Sequence, residues 1–399
     1  MKKTFLAGIV AACLVPSGAM AEGSLDLSGS VGVETRWFTQ DRQFSGQMEG
    51  VQNSVTLEPE LRYRFDDGAQ RINLLPFARL DSRDARRTHL DLREAYWTYI
   101  ADDWQLLVGA NKVFWGVTES QHLVDIVNQT DVVEGPDGED KLGQPMIQYT
   151  RFLDAGDLSF FVMPYFRERT FPGAKGRLRA PQPVDFSEAQ YESGLDEFHP
   201  DFAIRFAGFE GDIDYGLSLF RGTSREARLV LSEDETRRVP TYDIITQAGL
   251  DLQYTSDAWL WKLETIVREG QGNVYGAGVG GFEYTLYQVF SSDADIGLLA
   301  EYHLDGRDQN DAPSNIFNDD LFLGTRLTLN DVQDSSLLAG VVMDRKDQSY
   351  GFSVEAERRI GDSYTVELEA RFLTAVAKDD PLYGSHRDDF VALRVFRNF

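Results

Sequence analysis

Acidic side chains are concentrated in one stretch of the sequence, between residues 113 and 144. It reads VFWGVTESQHLVDIVNQTDVVEGPDGEDKLGQ, and its only lysine is Lys141. The acids are Glu119, Asp125, Asp131, Glu134, Asp137, Glu139 and Asp140. Leu123, Ile126 and Val127 have the spacing of one face of a short helix, which predicts a helix within 119–127. Carboxylates on a folded loop of this kind could attract cations or sort solutes by charge.

The next long polar segment begins with bases. Arg167, Arg169, Lys175, Arg177 and Arg179 fall within FRERTFPGAKGRLR. An acidic loop facing these bases would set a transverse electric field across an opening. The residues of this hypothetical constriction are Glu119, Asp125, Asp131, Arg167, Arg169, Arg177 and Arg179. The alternative is that the two segments form charge pairs that only stabilise external loops.

A second charged pattern surrounds the turn at Gly361. Glu355, Glu357, Glu367 and Glu369 fall on one face of two neighbouring strands if the chain reverses at this turn. Like charges on opposite strands repel unless bases compensate, and Arg359 and Arg371 are the nearest candidates. The four glutamates are therefore predicted to form an acidic strip for cations or, alternatively, part of an ordinary polar wall.

The histidines do not form a recognisable catalytic or metal motif. The five are His89, His122, His199, His303 and His386. His122 precedes Asp125 by three residues and His386 precedes Asp388, but no nucleophile motif accompanies either pair. HExxH is absent, and DGRDQND at 305–311 lacks the glycine of an EF-hand loop. We therefore predict no enzyme, no catalytic residue, no metal ligand and no cofactor.

The elements that would position these residues alternate with period two. In the first run, Leu25, Leu27 and Val31 alternate with polar residues, which is typical of a strand with one apolar and one polar face. The sequence contains about eighteen such runs in all, each near the roughly 9 to 11 residues that a tilted strand needs to cross a bilayer. Short turns are expected at 66–68, 101–103, 154–157, 210–212, 255–257, 291–293, 330–331 and 360–363. Longer loops are expected at 39–51, 82–88, 116–144, 168–199, 222–240, 270–273, 305–319, 344–348 and 377–388.

Strict alternation of short and long connections favours one all-β architecture. It predicts an up-and-down antiparallel transmembrane β-barrel of about 18 strands, with 16 as the alternative count. The barrel would cover residues 22–399, and loops 116–144 and 168–199 would be external or folded inward. Aromatic residues beside the short turns, such as Tyr99 and Trp104, fit an interfacial girdle. A soluble antiparallel sandwich is the competing fold, although it would not require this alternation.

The beginning of the chain predicts export. Lys2 and Lys3 precede an apolar run at 5–15 and then Ala19-Met20-Ala21, which is the order of a signal peptide at 1–21. The alternative is lipoprotein processing at Cys13, the single cysteine of the sequence. The formal net charge is -26 and becomes -28 without the two lysines, which disfavours nucleic acid as a partner.

Three segments resemble known proteins. Trp115-Gly116 with HLVDIVNQTD at 122–131, and PYFRERTFPG at 164–173, resemble a block in porin-like outer-membrane proteins of proteobacteria. The final strand FVALRVFRNF resembles the closing strand of Gram-negative outer-membrane barrels, with Phe399 as the signal that their assembly machinery reads. Outer-membrane barrels of the alginate-export type are one related kind of porin-like barrel. The resemblance implies a channel in the outer membrane, surrounded by lipid and lipopolysaccharide.

The sequence therefore predicts a porin-like channel for passive diffusion or export of small polar or charged solutes. One alternative is a non-conducting structural or adhesion barrel plugged by loop 116–144. A less favoured alternative is an outer-membrane hydrolase. The sequence leaves open the solute, the direction of transport and whether the barrel forms a homo-oligomer.

Overall fold

The structure is a computed structural model that describes residues 23–378 and 380–399. The predicted signal peptide at 1–21, including Cys13, lies outside these residues.

Most of the described chain is β-strand. In chain order the strands are β1 (Ser24–Phe38), β2 (Val51–Phe65), β3 (Gln70–Asp81), β4 (His89–Ile100), β5 (Trp104–Asn111), β6 (Gln144–Leu153), β7 (Gly156–Met163), β8 (Gln190–Tyr191), β9 (Asp201–Glu210), β10 (Ile213–Thr223), β11 (Arg228–Leu231), β12 (Arg238–Tyr242), β13 (Ile244–Ser256), β14 (Trp259–Glu269), β15 (Tyr275–Leu286), β16 (Asp295–Asp305), β17 (Asp319–Thr328), β18 (Ser336–Asp344), β19 (Tyr350–Ile360), β20 (Tyr364–Thr374) and β21 (Phe390–Asn398).

Eighteen of these strands form one closed antiparallel sheet, which confirms the predicted barrel and its strand count. The seam joins the first and last strands, with Ser30 opposite Asn398 and Phe38 opposite Phe390. The backbones of Gly29 and Phe399 exchange two hydrogen bonds of 3.0 Å at the end of this seam. Closure matters because it satisfies the backbone groups that an open sheet would expose to lipid. The three remaining strands, β8, β11 and β12, form a small separate sheet in the long loops.

Between β14 and β19 the predicted alternation is lost: the expected short turns after β15 and β17 have eight and seven residues, and the expected longer loops after β14 and β18 have five each. The other connections alternate in length as predicted. For example, two residues join β9 to β10, whereas residues 112–143 join β5 to β6 and residues 164–200 join β7 to β9. The first residues of β1 and the last residues of β21 both lie at the end of the barrel that carries the short turns. The long connections therefore gather at the opposite end of the barrel.

The strands present apolar side chains outward and polar side chains inward. On β1, Val31 and Val33 are 41% and 53% exposed, whereas the charged Glu34 and Arg36 are each 3% exposed. On β1 the polar face is thus buried and the apolar face is exposed, which is the arrangement of a sheet surrounded by lipid. A belt of aromatic rings lies next to the short turns, where Tyr99 is 5.3 Å from Trp104 and Trp259 is 4.5 Å from Tyr284, measured between ring centroids. Such belts lie at membrane interfaces.

The helix predicted at 119–127 was wrong. Residues 112–143 contain turns and irregular backbone, and the helical segments of the described residues are five short 3-10 turns. These turns are Asp66–Gly68, Phe186–Glu188, Asp196–Phe198, Val289–Ser291 and Pro381–Ser385. Within residues 23–378 and 380–399, no helix is long and apolar enough to cross a membrane. The physical reason for the missing helix is that barrel side chains accept the hydrogen bonds of this backbone, as described next.

Candidate pore and its constriction

Residues 112–143, here called the lumen loop, fold into the barrel. Val124 and Val127 have no exposed surface and belong to one apolar cluster with Phe220, Ile245 and Ile266 of the inner wall. The cluster also includes Leu107 of β5 and Val279 of β15, so it extends along the inner wall from β5 to β15. The apolar spacing in the sequence thus reflects packing against the wall, although the backbone is not helical.

Glu264, on the inner face of β14, holds the first part of the lumen loop. Its carboxylate accepts hydrogen bonds from the backbone N–H groups of Val117 (2.8 Å), Thr118 (3.1 Å) and Val124 (3.1 Å), and from the Thr118 hydroxyl (2.7 Å). Gly116 has φ +139°, and a Cβ there would lie 2.8 Å from Glu264 Oε1, so the chain can approach this carboxylate only with a glycine. Four hydrogen bonds to one buried carboxylate replace the bonds that a helix would make internally.

A second carboxylate acts in the same way. Glu301, on β16, accepts hydrogen bonds from the backbone N–H groups of Glu119 (2.8 Å) and Ser120 (2.9 Å) and from the Ser120 hydroxyl. The Ser120 hydroxyl also lies 2.8 Å from His303 Nε2 on the same strand. The two glutamates therefore anchor the loop to one side of the barrel.

The far end of the lumen loop reaches the opposite side. Glu134 is bound by Arg79 of β3, whose Nε donates to both carboxylate oxygens at 2.8 and 2.9 Å. Arg87 donates to the Val133 carbonyl at 2.8 Å and to Glu34 of β1 at 2.7 Å. The loop thus crosses the lumen from β14 and β16 to β1 and β3.

Two cavities remain beside the lumen loop. The first, of about 570 Å³, reaches Ser336 and Phe396 near the short turns, and the second, of about 670 Å³, reaches Leu382 and Asp388 in the long loops. They share five lining residues, which we call the constriction: Glu119, Asp137, Glu139, Leu338 and Glu355. The two cavities therefore adjoin along the axis of the barrel at one narrow zone.

The constriction sets acids of the lumen loop against bases of the wall. Glu119 lies 2.6 Å from Arg326 of β17, and Asp137 lies 2.7 Å from Arg371 of β20. Arg371 also contacts Glu355 at 2.8 Å. These ion pairs join acids of the lumen loop to bases of the wall beside the zone where the two cavities adjoin.

His122 carries a further charge beside the constriction. Its Nε2 lies 3.0 Å from Glu139 and its Nδ1 lies 3.7 Å from Glu264. Burial opposes protonation, but these two carboxylates outweigh it and raise the pKa of His122 to about 10. His122 is therefore a cation at neutral pH that holds the lumen loop, and it contacts Glu139 and Glu264 rather than the neighbouring Asp125.

Acids outnumber bases in both cavities. The first is lined by ten acids and five bases, and the second by eight acids and two bases with His122 counted as charged. The chain is acidic overall, and part of this excess lies in the lumen. A net negative lining attracts cations and repels anions.

The predicted acidic strip lines the first cavity. Glu355 is the register partner of Glu369, and Glu357 is the register partner of Glu367. Arg371 compensates as expected, at 2.7 Å from Glu369, whereas Arg359 pairs with Asp334 in a short turn at 2.6 Å.

Arg394 is the base that the sequence prediction missed. It lies 2.5 Å from Glu369 and 3.6 Å from Glu367. Arg394 is on β21, which pairs with β20, and its position beside the strip follows from the pairing of these strands. The only sign of this role in the sequence was that Arg394 falls on the polar face of the alternating final strand.

The predicted constriction residues are not brought together as a set. Glu119 lines both cavities, and in the part of the chain that the structure describes the other six line neither. Their contacts are Asp125 with Lys141 (3.0 Å), Asp131 with the Thr170 hydroxyl (2.7 Å), Arg167 with Asp91 (2.7 Å), the Arg169 N–H with the Tyr242 hydroxyl (3.1 Å), Arg177 with Asp388 (2.5 Å) and Arg179 with the Ala180 carbonyl (2.8 Å). Arg167 thus pairs with a carboxylate of β4. The bases that pair with acids of the constriction are instead Arg326 and Arg371.

Comparison with known proteins identifies the fold. No protein-family model matches the sequence, and no curated protein does. The structure is similar to that of Wzi from Escherichia coli, an outer-membrane protein involved in group 1 capsule assembly and described as a carbohydrate-binding β-barrel. The TM-score is 0.57 at 10% identity, covering 94% of this chain and 84% of that chain.

It is also similar to a BenF-like porin from Pseudomonas fluorescens Pf-5, with a TM-score of 0.54 at 9% identity, covering 96% of this chain and 99% of that chain. At these identities the likeness concerns the fold alone. It confirms the predicted resemblance to Gram-negative outer-membrane barrels of the porin type.

Proposed function

We propose that this barrel is an outer-membrane channel for small polar solutes and that it favours cations over anions. The observation that carries the proposal is the constriction, where two acid-rich cavities adjoin. One cavity extends toward the long loops and the other toward the short turns, so a solute would pass from one to the other beside Glu119 and Glu355. The apolar outer face would be in contact with membrane lipid and lipopolysaccharide.

The shape of the lumen supports a channel more than a plugged barrel. The lumen loop packs its apolar residues against the inner wall from β5 to β15. On the other side the cavities follow β17 to β21, and the first cavity also reaches β2, β3 and β4. Side-chain ion pairs narrow the remaining space, and permeating ions can compete for such pairs. The second candidate is a non-conducting barrel, which the apolar core between the lumen loop and the wall favours.

Single-channel recording tests the proposal directly. The refolded protein in planar bilayers is expected to give stable openings, and under a KCl gradient the reversal potential should have the sign of a cation-preferring pore. Silence from a protein that is folded by circular dichroism would overturn the channel and favour the plugged barrel. A reversal potential of anion-preferring sign would overturn the charge preference alone.

Removal of Arg371 should increase the preference for cations. Arg371→Ala leaves Glu355, Asp137 and Glu369 without their shared partner, so the constriction gains net negative charge. One unit charge acts on an ion 4 Å away with about 1 kcal/mol in water, so the ratio of K⁺ to Cl⁻ permeability should rise several-fold. Arg359→Ala is the matched control, because its partner Asp334 lies in a short turn. Equal reversal potentials for the two variants would contradict this role of Arg371.

Charge selectivity should also depend on pH through Asp140, which lines the first cavity. Surrounding protein and the nearby Glu134 raise the pKa of Asp140 to about 7, although Arg93 lowers it. Below this value the carboxyl is neutral, so cation preference should fall as the pH decreases from 8 to 6. In Asp140→Asn this fall should be smaller, and in Asp102→Asn, in the turn between β4 and β5, it should be unchanged. The same pH profile in wild type and Asp140→Asn would exclude this carboxyl as its source.

A further inference from the structure

Three side chains with metal-binding atoms meet where the lumen loop contacts β4. His89 begins β4, and Asp131 and Glu134 belong to the lumen loop. His89 Nε2 lies 3.5 Å from Asp131 Oδ2 and 3.5 Å from Glu134 Oε1. One ligand atom from each of the three residues lies within 4.8 Å of the others.

Two of these atoms are buried and lack a hydrogen-bond partner among the described residues. They are His89 Nε2 and Asp131 Oδ2, and the Asp131 side chain has no exposed surface. Leaving a polar atom in this state costs about 1 to 3 kcal/mol. The two atoms are aimed at the same point, so a single bound ion would satisfy both.

The distances match a metal site better than a hydrogen bond. At 3.5 Å the imidazole nitrogen and the carboxylate oxygens are too far apart for a normal hydrogen bond. Two ligands that are each about 2.0 to 2.1 Å from a tetrahedral zinc ion are roughly 3.4 Å apart. The observed separations are therefore those expected between neighbouring ligands of one ion.

The surrounding contacts orient all three ligands. His89 Nδ1 lies 3.1 Å from the Arg87 carbonyl, which places the ring proton on Nδ1 and leaves the Nε2 lone pair facing the carboxylates. The Thr170 hydroxyl donates to Asp131 Oδ1 at 2.7 Å, so Oδ2 is the oxygen presented to His89. Arg79 holds the carboxylate of Glu134.

Four arginines lie near this place, and each also contacts another carboxylate. Arg36 and Arg87 both donate to the Glu134 carbonyl and pair with Glu34. Arg79 is also 3.7 Å from Glu34, and Arg93, which is 3.5 Å from Asp131, is also 3.6 Å from Glu58. A divalent cation, two carboxylates and a neutral imidazole together have no net charge. An ion at this point is thus electrostatically balanced by its own ligands.

We propose that His89, Asp131 and Glu134 bind one divalent transition-metal ion. Mixed imidazole and carboxylate ligands at these separations suit Zn²⁺. Glu134 also lines the first cavity, so water there can occupy the fourth position. The bound ion fastens the acidic part of the lumen loop to the wall. The sequence contains no metal motif because His89 precedes Asp131 by 42 residues and meets the two acids only when the loop folds inward.

Metal titration of the refolded protein tests this site. Protein in detergent is stripped with EDTA and titrated with Zn²⁺ against a chelating dye, and thermal unfolding is recorded with and without the ion. We expect one tight equivalent of Zn²⁺ and a higher unfolding temperature with it. His89→Ala should weaken binding by tenfold or more, whereas His386→Ala, at the end of an external 3-10 turn, should bind as the wild type.

Co²⁺ provides a second measurement on the same variants. Co²⁺ bound by His89 and two carboxylates should give the intense visible absorption of a tetrahedral site, and Asp131→Asn should reduce it even if His89→Ala folds poorly. The proposal is overturned if wild type binds Zn²⁺ no more tightly than a folded His89→Ala or Asp131→Asn. It is also overturned if His386→Ala loses binding to the same extent. In those cases His89 is an imidazolium paired with the two carboxylates.

Discussion

Replacing residues 113–142 by a four-residue turn should raise the single-channel conductance several-fold and remove the preference for cations. Asn111 and Gln144 are register partners on adjacent strands, so a short hairpin turn can join them without disturbing the barrel. The change removes the loop that crosses the lumen, and an eighteen-stranded barrel is otherwise wide enough for an aqueous channel. It also removes Glu119, Asp137 and Glu139 from the constriction.

Lower thermal stability should accompany the higher conductance, because the deletion exposes Phe220, Ile245 and Ile266 to water in the lumen. A matched control replaces the exposed tip at 232–237 between β11 and β12 by Asn-Gly. That hairpin tip lines neither cavity among the described residues, so conductance and selectivity should remain at wild-type values. A deletion variant that folds but keeps the wild-type conductance would show that the lumen loop does not limit the pore.

Glu264→Ala should release the first part of the lumen loop. The substitution removes the acceptor of four hydrogen bonds from Val117, Thr118 and Val124. Hydrogen bonds to a charged group contribute about 1.5 to 3 kcal/mol each, so the loss is large compared with the stability of a loop. We expect larger openings with frequent fluctuations in current, and a lower unfolding temperature.

Glu283→Ala is the control for Glu264→Ala. Glu283 lies on the neighbouring strand β15 and pairs with Arg326 at 3.3 Å. Its loss should alter ion selectivity without current fluctuations, because the anchor of the lumen loop is intact. If Glu264→Ala gave openings of wild-type conductance without current fluctuations, Glu301 and the apolar cluster would hold the loop without Glu264.

The barrel was predictable because its signals are local. Alternation along β1 and the short turn after β9 can be read within a few residues, and together such segments specify strand number and closure. The prediction of a helix at 119–127 was wrong because the residues that determine this backbone are distant in the sequence. The spacing of Leu123, Ile126 and Val127 reports burial, but burial against a wall also occurs in irregular backbone when distant carboxylates accept its hydrogen bonds.

The constriction was predictable only in part. Glu119 could be found because it lies in an acidic loop too long to be a simple turn. Its partner Arg326 could not, and neither could the contact of Arg371 with Asp137, because these bases resemble other wall arginines until the path of the loop across the lumen is known. The role of His89 could not be predicted either, because it depends on where the lumen loop places Asp131. These residues are separated in sequence and become neighbours only through the closed barrel.

The anchors of the lumen loop have a consequence for how the protein folds. The hydrogen bonds from Thr118 to Glu264 and from Glu119 to Glu301 join residues 146 and 182 positions apart. The seam joins the two ends of the sheet over a still longer distance. Such high contact order predicts slow, cooperative folding, in which the constriction appears only at the end. If the chain were divided between β10 and β13, one part would contain the loop and the other would contain Glu264 and Glu301, so neither part could build the constriction alone.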